Sequence, residues 1–131
     1  MYYFTDEYLT GVELVDEEHK ELFRIIGQVH EIIADGLMAD KNDEIIRLLE
    51  ELRIYTKSHF MDEEEYLRSI QYEGLGAQKA AHEIFSAGLD EIDLNKIGVH
   101  QEKMVGELIT FMAEWLVDHI LRMDKKFGQI H

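Results

Sequence analysis

Residues 42–69 read NDEIIRLLEELRIYTKSHFMDEEEYLRS, and the spacing inside this stretch decides the architecture. Ile45, Leu48, Leu49 and Leu52 recur every three or four residues, which sets them on one stripe of an α-helix that Tyr55 prolongs. One heptad beyond Leu52 the stripe arrives at His59, and one turn later at Glu63. The inner face of this helix therefore carries an imidazole and a carboxylate where a further Leu or Ile would continue a core.

The pattern repeats on both sides. Upstream, Leu22, Phe23, Ile26, Val29 and Ile33 predict a helix over about 17–36, with Asp16 as its N-cap and His19 heading the stripe. Downstream, YEGLG at 72–76 breaks the period. A third helix over about 75–92 then buries Phe85, Leu89 and Ile92, and its stripe runs back through His82 and Gln78. After a loop at 93–98, a fourth helix over about 99–127 aligns Met104, Val105, Leu108, Met112, Trp115 and Leu116 and reaches His119. Residues 1–16 keep no helical period but are rich in aromatics, so they read as an arm packed across the helices and anchored by Tyr2, Tyr3, Phe4 and Tyr8. Four amphipathic helices with short connections predict an all-α fold, an antiparallel up-and-down four-helix bundle, formed as a single domain over 1–131.

Composition agrees and excludes much. No proline occurs anywhere in the chain, which favours helix. Thirteen Lys and Arg against 28 Asp and Glu leave a net charge of −15, which repels phosphate backbones and anionic membrane surfaces, so neither nucleic acid nor membrane is an expected partner. No run approaches the ~18 apolar residues of a membrane span and the amino terminus has no secretion pattern, so a cytoplasmic location is the expectation. The chain has no cysteine, so any metal must be held by nitrogen and oxygen.

Each of the four helices places a metal-ligand residue on its inner stripe: His19, then His59 with Glu63, then Gln78 with His82, then His119 followed five residues later by Asp124. A lone inward histidine is more often a satisfied core residue than a ligand, but four on four helices are hard to reconcile with that reading. Burying Glu63 and Asp124 beside imidazoles without cations costs on the order of several kcal/mol per charge, unless protonation relieves it. Imidazole and carboxylate without thiolate suit iron, manganese or zinc, and carboxylates that can bridge favour two ions. The step from His119 to Asp124 advances a regular helix by about 500°, which leaves them roughly 140° apart, so Asp124 must reach around or the helix must deform. His30 lies eleven residues after His19, about 16 Å along the axis, and reads as structural. His100 and His131 read as solvated. In the acidic runs DEEH (16–19) and DEEEY (62–66), only His19 and Glu63 are expected to point inward. A glycine-rich phosphate loop, a G-x-S-x-G elbow and an H-E-x-x-H motif are all missing, as is the Glu-x-x-His pair of ferritin-like bundles.

The segments TGVELVDEEHKELF (10–23), HFMDEE (59–64) and WLVDHILRMDKKF (115–127) resemble the motifs of the bacterial hemerythrin-like single domains, in the same order and over nearly the whole chain. The resemblance implies two non-haem irons with an oxo or hydroxo bridge, Glu63 and Asp124 bridging as well. His19 and His59 would serve the iron that binds dioxygen, and His82 and His119 the other. The family's third helix normally reads H-x-x-x-H, and here Gln78 occupies the first of those positions. A Gln carbonyl is a weaker and harder ligand than imidazole, so Gln78 either binds poorly, bonds to a metal-bound water, or leaves its iron with an open position. Phe4 stands where many relatives carry Trp, a conservative packing change.

The resemblance implies reversible dioxygen binding, for storage, delivery or sensing, in an apolar pocket drawing on Leu22 and Phe23. The alternative is an enzyme that reduces peroxide or nitric oxide at an iron opened by Gln78; no general acid or base beyond the ligands supports it. A third reading, a helical interaction module without metal chemistry, leaves the inward histidines without a purpose. Protein partners are not legible in the chain.

Overall fold

The computed structural model describes residues 3–34, 41–91 and 102–128. A 3-10 turn, Asp6–Tyr8, precedes α1 (Glu13–Ala34), α2 (Lys41–Ser69), α3 (Leu75–Asp90) and α4 (Glu102–His119); α4 runs into a π-helical turn, Ile120–Asp124, and a last short helix, α5 (Lys125–Gly128). Cross-helix pairs fix the directions. Glu18 meets His59 while Arg24 meets Glu51, and Glu64 meets His82 while Lys57 meets Asp90. His82 lies against His119 while Phe85 lies against Trp115. In each case the number rises on one helix and falls on its neighbour, so the four helices form an antiparallel up-and-down bundle.

The predicted stripes form the core. Leu22, Val29, Ile45, Leu52, Met112 and Ile120 are among its fully or nearly fully buried side chains. Two apolar clusters bracket one polar layer. The larger runs from Leu22 and Phe60 toward Val29 and Val105; the smaller, Val12, Val15, Leu67 and Phe127, closes the opposite end. The layer between them holds the buried histidines and carboxylates.

The arm differs from expectation in two respects. Phe4 and Tyr8 do anchor it, with ring centroids 5.6 and 5.2 Å from that of Phe23, but Tyr3 is 67% exposed. Asp16 is not the N-cap, because α1 begins at Glu13 and Asp16 is buried within its first turns. Its carboxylate instead accepts hydrogen bonds from Thr10 N (2.8 Å), Thr10 Oγ1 (2.8 Å) and Gly11 N (3.1 Å), tying the arm to the helix. Gly11 turns the chain there at φ 91°, a conformation that favours glycine. Lys125 Nζ donates to Glu7 O at 2.8 Å, so the arm is also held at the chain's other end. Tyr2, His100 and His131, and the expected helix ends at 35–36, 92 and 99–101, lie outside the described residues.

Candidate metal centre

His19 enters from α1, His59 and Glu63 from α2, Gln78 and His82 from α3, and His119 from α4, with Asp124 in the π turn that follows. All seven sequence-derived candidates meet in one layer, and each is at most 5% exposed. The His119–Asp124 step is resolved by the helix deforming. The π turn contains one residue more per turn than an α-helix, so side chains five apart come to share a face, and His119 Nε2 stands 3.2 Å from Asp124 Oδ1.

The two carboxylates divide the layer into halves. Glu63 Oε2 lies 3.0 Å from His59 Nε2 and 3.6 Å from His19 Nε2, while Glu63 Oε1 lies 3.2 Å from His82 Nε2. Asp124 Oδ2 lies 3.2 Å from His19 Nε2, and Oδ1 faces His119. One half thus contains His19 and His59, the other His82 and His119, and each carboxylate offers one oxygen to each half. The donor atoms of His19, His59 and Glu63 fall within 4.8 Å of one another, as do those of Glu63, His82 and His119.

A hydrogen-bonded polar cluster would have the same composition, and the state of the individual atoms favours a site for metal. His19 Nδ1 and Nε2, both Glu63 oxygens, Gln78 Oε1, His82 Nε2, His119 Nε2 and Asp124 Oδ2 are buried without a hydrogen-bond partner. Buried polar atoms are almost always paired; apart from His19 Nδ1 and Gln78 Oε1, these atoms face one another across the layer at 3.2–3.6 Å without hydrogen-bond geometry, which leaves room for ions between them. Nitrogen and carboxylate oxygen aimed at shared points fit cations, and the residues present therefore suit a pair of first-row metal ions.

Protonation in the metal-free state shows the same pull. Burial alone would lower the pKa of His59, but the carboxylates of Glu18 and Glu63 overcome it and raise the imidazole to about 10. His19 is likewise raised, with burial opposed by Asp124 and Glu63. Burial would raise Glu63, yet its three histidine neighbours hold it well below the usual carboxylate range. Protons stand in for cations here, each stabilised by the opposite charge beside it.

Two glutamates of the acidic runs turn inward, contrary to the expectation that only His19 and Glu63 do so. Glu18 Oε1 lies 2.9 Å from His59 Nδ1 and Glu64 Oε2 lies 2.8 Å from His82 Nδ1, with both carboxylates largely buried. Such bonds leave each Nε2 free to face the centre and fix the ring's orientation. Their signal was adjacency: Glu18 precedes His19 and Glu64 follows Glu63, so each sits beside an inward residue at the edge of its helix face. Stacking holds the ring planes of His82, a second time, and of His119. His82 lies on Phe60 at 3.9 Å and 4°, and His119 on Trp115 at 4.6 Å and 9°.

On the larger cluster's side, a cavity of about 10 Å³ is lined by Leu22, Thr56, Met112 and others together with Phe60 and Trp115, the rings that stack on His82 and His119. Leu22 lines it as expected. Phe23 does not, because its ring faces outward to the arm. His30 is exposed on α1, off the buried stripe that carries His19, Leu22 and Ile26 and on which its spacing had placed it.

Comparison with known proteins bears on the same residues. A family described as Hemerythrin HHE cation binding domain matches residues 10–130. Bacteriohemerythrin of Clostridium acetobutylicum is 32% identical over 127 residues, covering 97% of this chain and 98% of that protein. Hemerythrin of Themiste dyscrita is 33% identical over 118 residues, covering 90% and 83%. A wild-type hemerythrin crystal structure superposes with a TM-score of 0.79 at 28% identity, covering 98% of this chain and 95% of that one. Among the described residues no helix is long and apolar enough to cross a membrane. The bundle, its histidine and carboxylate layer and these likenesses coincide along almost the whole sequence, and the chain belongs to the hemerythrin family.

Proposed function

We propose that this chain holds two non-haem iron ions and binds dioxygen reversibly, for storage, delivery or sensing. The observation that carries the reading is the sharing of both Glu63 and Asp124 between two pairs of imidazoles. His19 and His59 would hold one ion and His82 and His119 the other, with the two carboxylates common to both. Ferrous ions held there supply the electrons and the open coordination that dioxygen requires.

The remaining work belongs to the chain. Glu18 and Glu64 orient His59 and His82 through their Nδ1 atoms, which keeps the ligand geometry in place before metal arrives. Phe60 and Trp115 cover the imidazoles of His82 and His119 and shut out water. The neighbouring cavity is lined almost wholly by apolar side chains and, at about 10 Å³, has room for no more than about one water molecule, which keeps bulky reductants away from the centre.

The test is metal content with the ultraviolet–visible spectrum of iron-loaded protein, taken reduced without air, exposed to air, and then deoxygenated. Two irons per chain and an oxygenated absorption that disappears on deoxygenation support the reading; irreversible oxidation without such bands sinks it. Glu63→Ala should lose both ions, because its two oxygens serve different halves, whereas His82→Ala should lose the ion of its own half.

A second reading follows from Gln78. Its carboxamide, 1% exposed, replaces a third imidazole in the His82 and His119 half, and its Oε1 has no partner. A more open ion there favours reduction of peroxide or nitric oxide. Turnover of either substrate that is abolished in Glu63→Ala and suppressed in Gln78→His would put this reading first.

A further inference from the structure

Gln78 lies at the boundary of the second half and touches it through one bond: its Nε2 is 2.9 Å from Asp124 Oδ1. An ionised carboxylate only accepts, so the amide must present its N–H there, and an amide nitrogen has no basic lone pair to offer a cation. The orientation of the group is therefore set by Asp124. That same Oδ1 faces His119 Nε2 at 3.2 Å, so the bond steadies the carboxylate oxygen that serves the second half. The other end of the amide is unused. Oε1 is buried with no hydrogen-bond partner, an acceptor that no protein donor reaches.

Counting donors by halves sharpens the point. His19 and His59 share one oxygen of each carboxylate; His82 and His119 share the other two. With Gln78 tied to Asp124, each half has four protein donors, and four leave positions open on a first-row ion. In the second half an unfilled acceptor accompanies the open position.

We propose that Gln78 is a positioning residue and not a cation ligand. Its N–H fixes Asp124, and its carbonyl oxygen accepts a hydrogen bond from a small protic ligand, water in the resting state, held by the cation of the His82 and His119 half. The centre then has two positions for external ligands, one in each half. This rests on the two-cation reading above.

Full-length protein loaded with Co²⁺ and titrated with azide, followed by visible absorption, tests the proposal. The wild type should bind two Co²⁺ and then two azide ions in separate steps. Gln78→His, which supplies a third imidazole, should bind one azide. Gln78→Leu should keep both steps and tighten the weaker one roughly tenfold, because azide then displaces a water that has lost its bond to Oε1. A residue that merely fills space would not tighten a step when replaced by an apolar side chain of similar size. Two Co²⁺ with a single azide in the wild type overturns the proposal and leaves the two-cation reading standing; so does a Gln78→Leu variant that weakens or loses the second azide. Fewer than two Co²⁺ per chain sinks both. If Gln78→His does not fold, the wild-type stoichiometry and the Gln78→Leu shift still decide.

Discussion

Among single residues, the outer glutamates and the inner histidines are linked electrostatically. Glu18 binds the far nitrogen of His59, so Glu18→Gln keeps the shape but removes the charge that holds the imidazole in place. Removing such outer partners typically costs about 10–100-fold in metal affinity, and competition against a chromophoric chelator should show a weakening within that range. The pH dependence of the metal-free protein follows from His59. Its pKa rises on folding from 6.5 to about 10, so the protonated ring contributes stability that is complete below 6.5 and is lost as pH climbs through about 10. Glu63 acts in the opposite sense: held well below its ordinary 4.5, its carboxylate stabilises the fold above that value, and the contribution disappears as pH falls below it. Urea unfolding of metal-free protein should therefore show stability declining from about pH 6.5 upward. Metal-loaded protein, in which His59 Nε2 faces a cation instead of a proton, should lack that decline.

At the level of elements, the end of the bundle beside the centre is closed by two irregular pieces of backbone that meet. The π turn swings Asp124 inward and delivers Phe127 to the small cluster, while the arm crosses the same end through Thr10 and Gly11. Gly128 is where they touch: a Cβ placed there would lie 1.9 Å from the Thr10 carbonyl oxygen, which is backbone and cannot swing aside. Gly128→Ala should therefore push the arm away from Asp16 and destabilise the protein by about 1–3 kcal/mol, read as a lower Tm with helicity otherwise unchanged. Unchanged Tm would mean that the arm shifts freely and contributes little. Asp16 shows why the N-cap expectation failed. Asp before an apolar period is the ordinary capping signal, but here the side chain's partners are six and five residues upstream, and the helix starts before it.

For the whole molecule, a layer of buried charge interrupts an otherwise apolar core, and its cost must be met in the native state. Cations bind donors that converge only when four helices are assembled, so metal stabilises the folded chain by mass action. Removing metal with a chelator should lower Tm, and free metal at 1,000 times its Kd should restore about 4 kcal/mol at 25 °C. Calorimetry with and without metal checks this; equal Tm values would mean that the layer is satisfied by protons alone. The net charge of −15 acts in the same direction, since cations held in the interior would reduce the self-repulsion of a strongly acidic chain.

The hydrophobic period determined by itself that this chain folds as amphipathic helices packed on one another, and four of them with short connections made the antiparallel bundle the economical way to bury their stripes. It also determined that His19, His59, Glu63, Gln78, His82 and His119 point inward, since each falls on such a stripe. Asp124 was legible only as a conflict, five residues from His119 where a regular helix would turn it away, and the π turn resolved it. Glu18 and Glu64 were not legible as partners, because at a helix edge the sequence cannot tell a solvated glutamate from one that reaches a neighbouring imidazole. Nor could it say which oxygen of Glu63 or Asp124 serves which pair of histidines, or that Gln78 bonds to Asp124 through its nitrogen. Those are relations between different helices. They depend on crossing distances and side-chain rotamers of a few ångströms, which exist only once the bundle has closed.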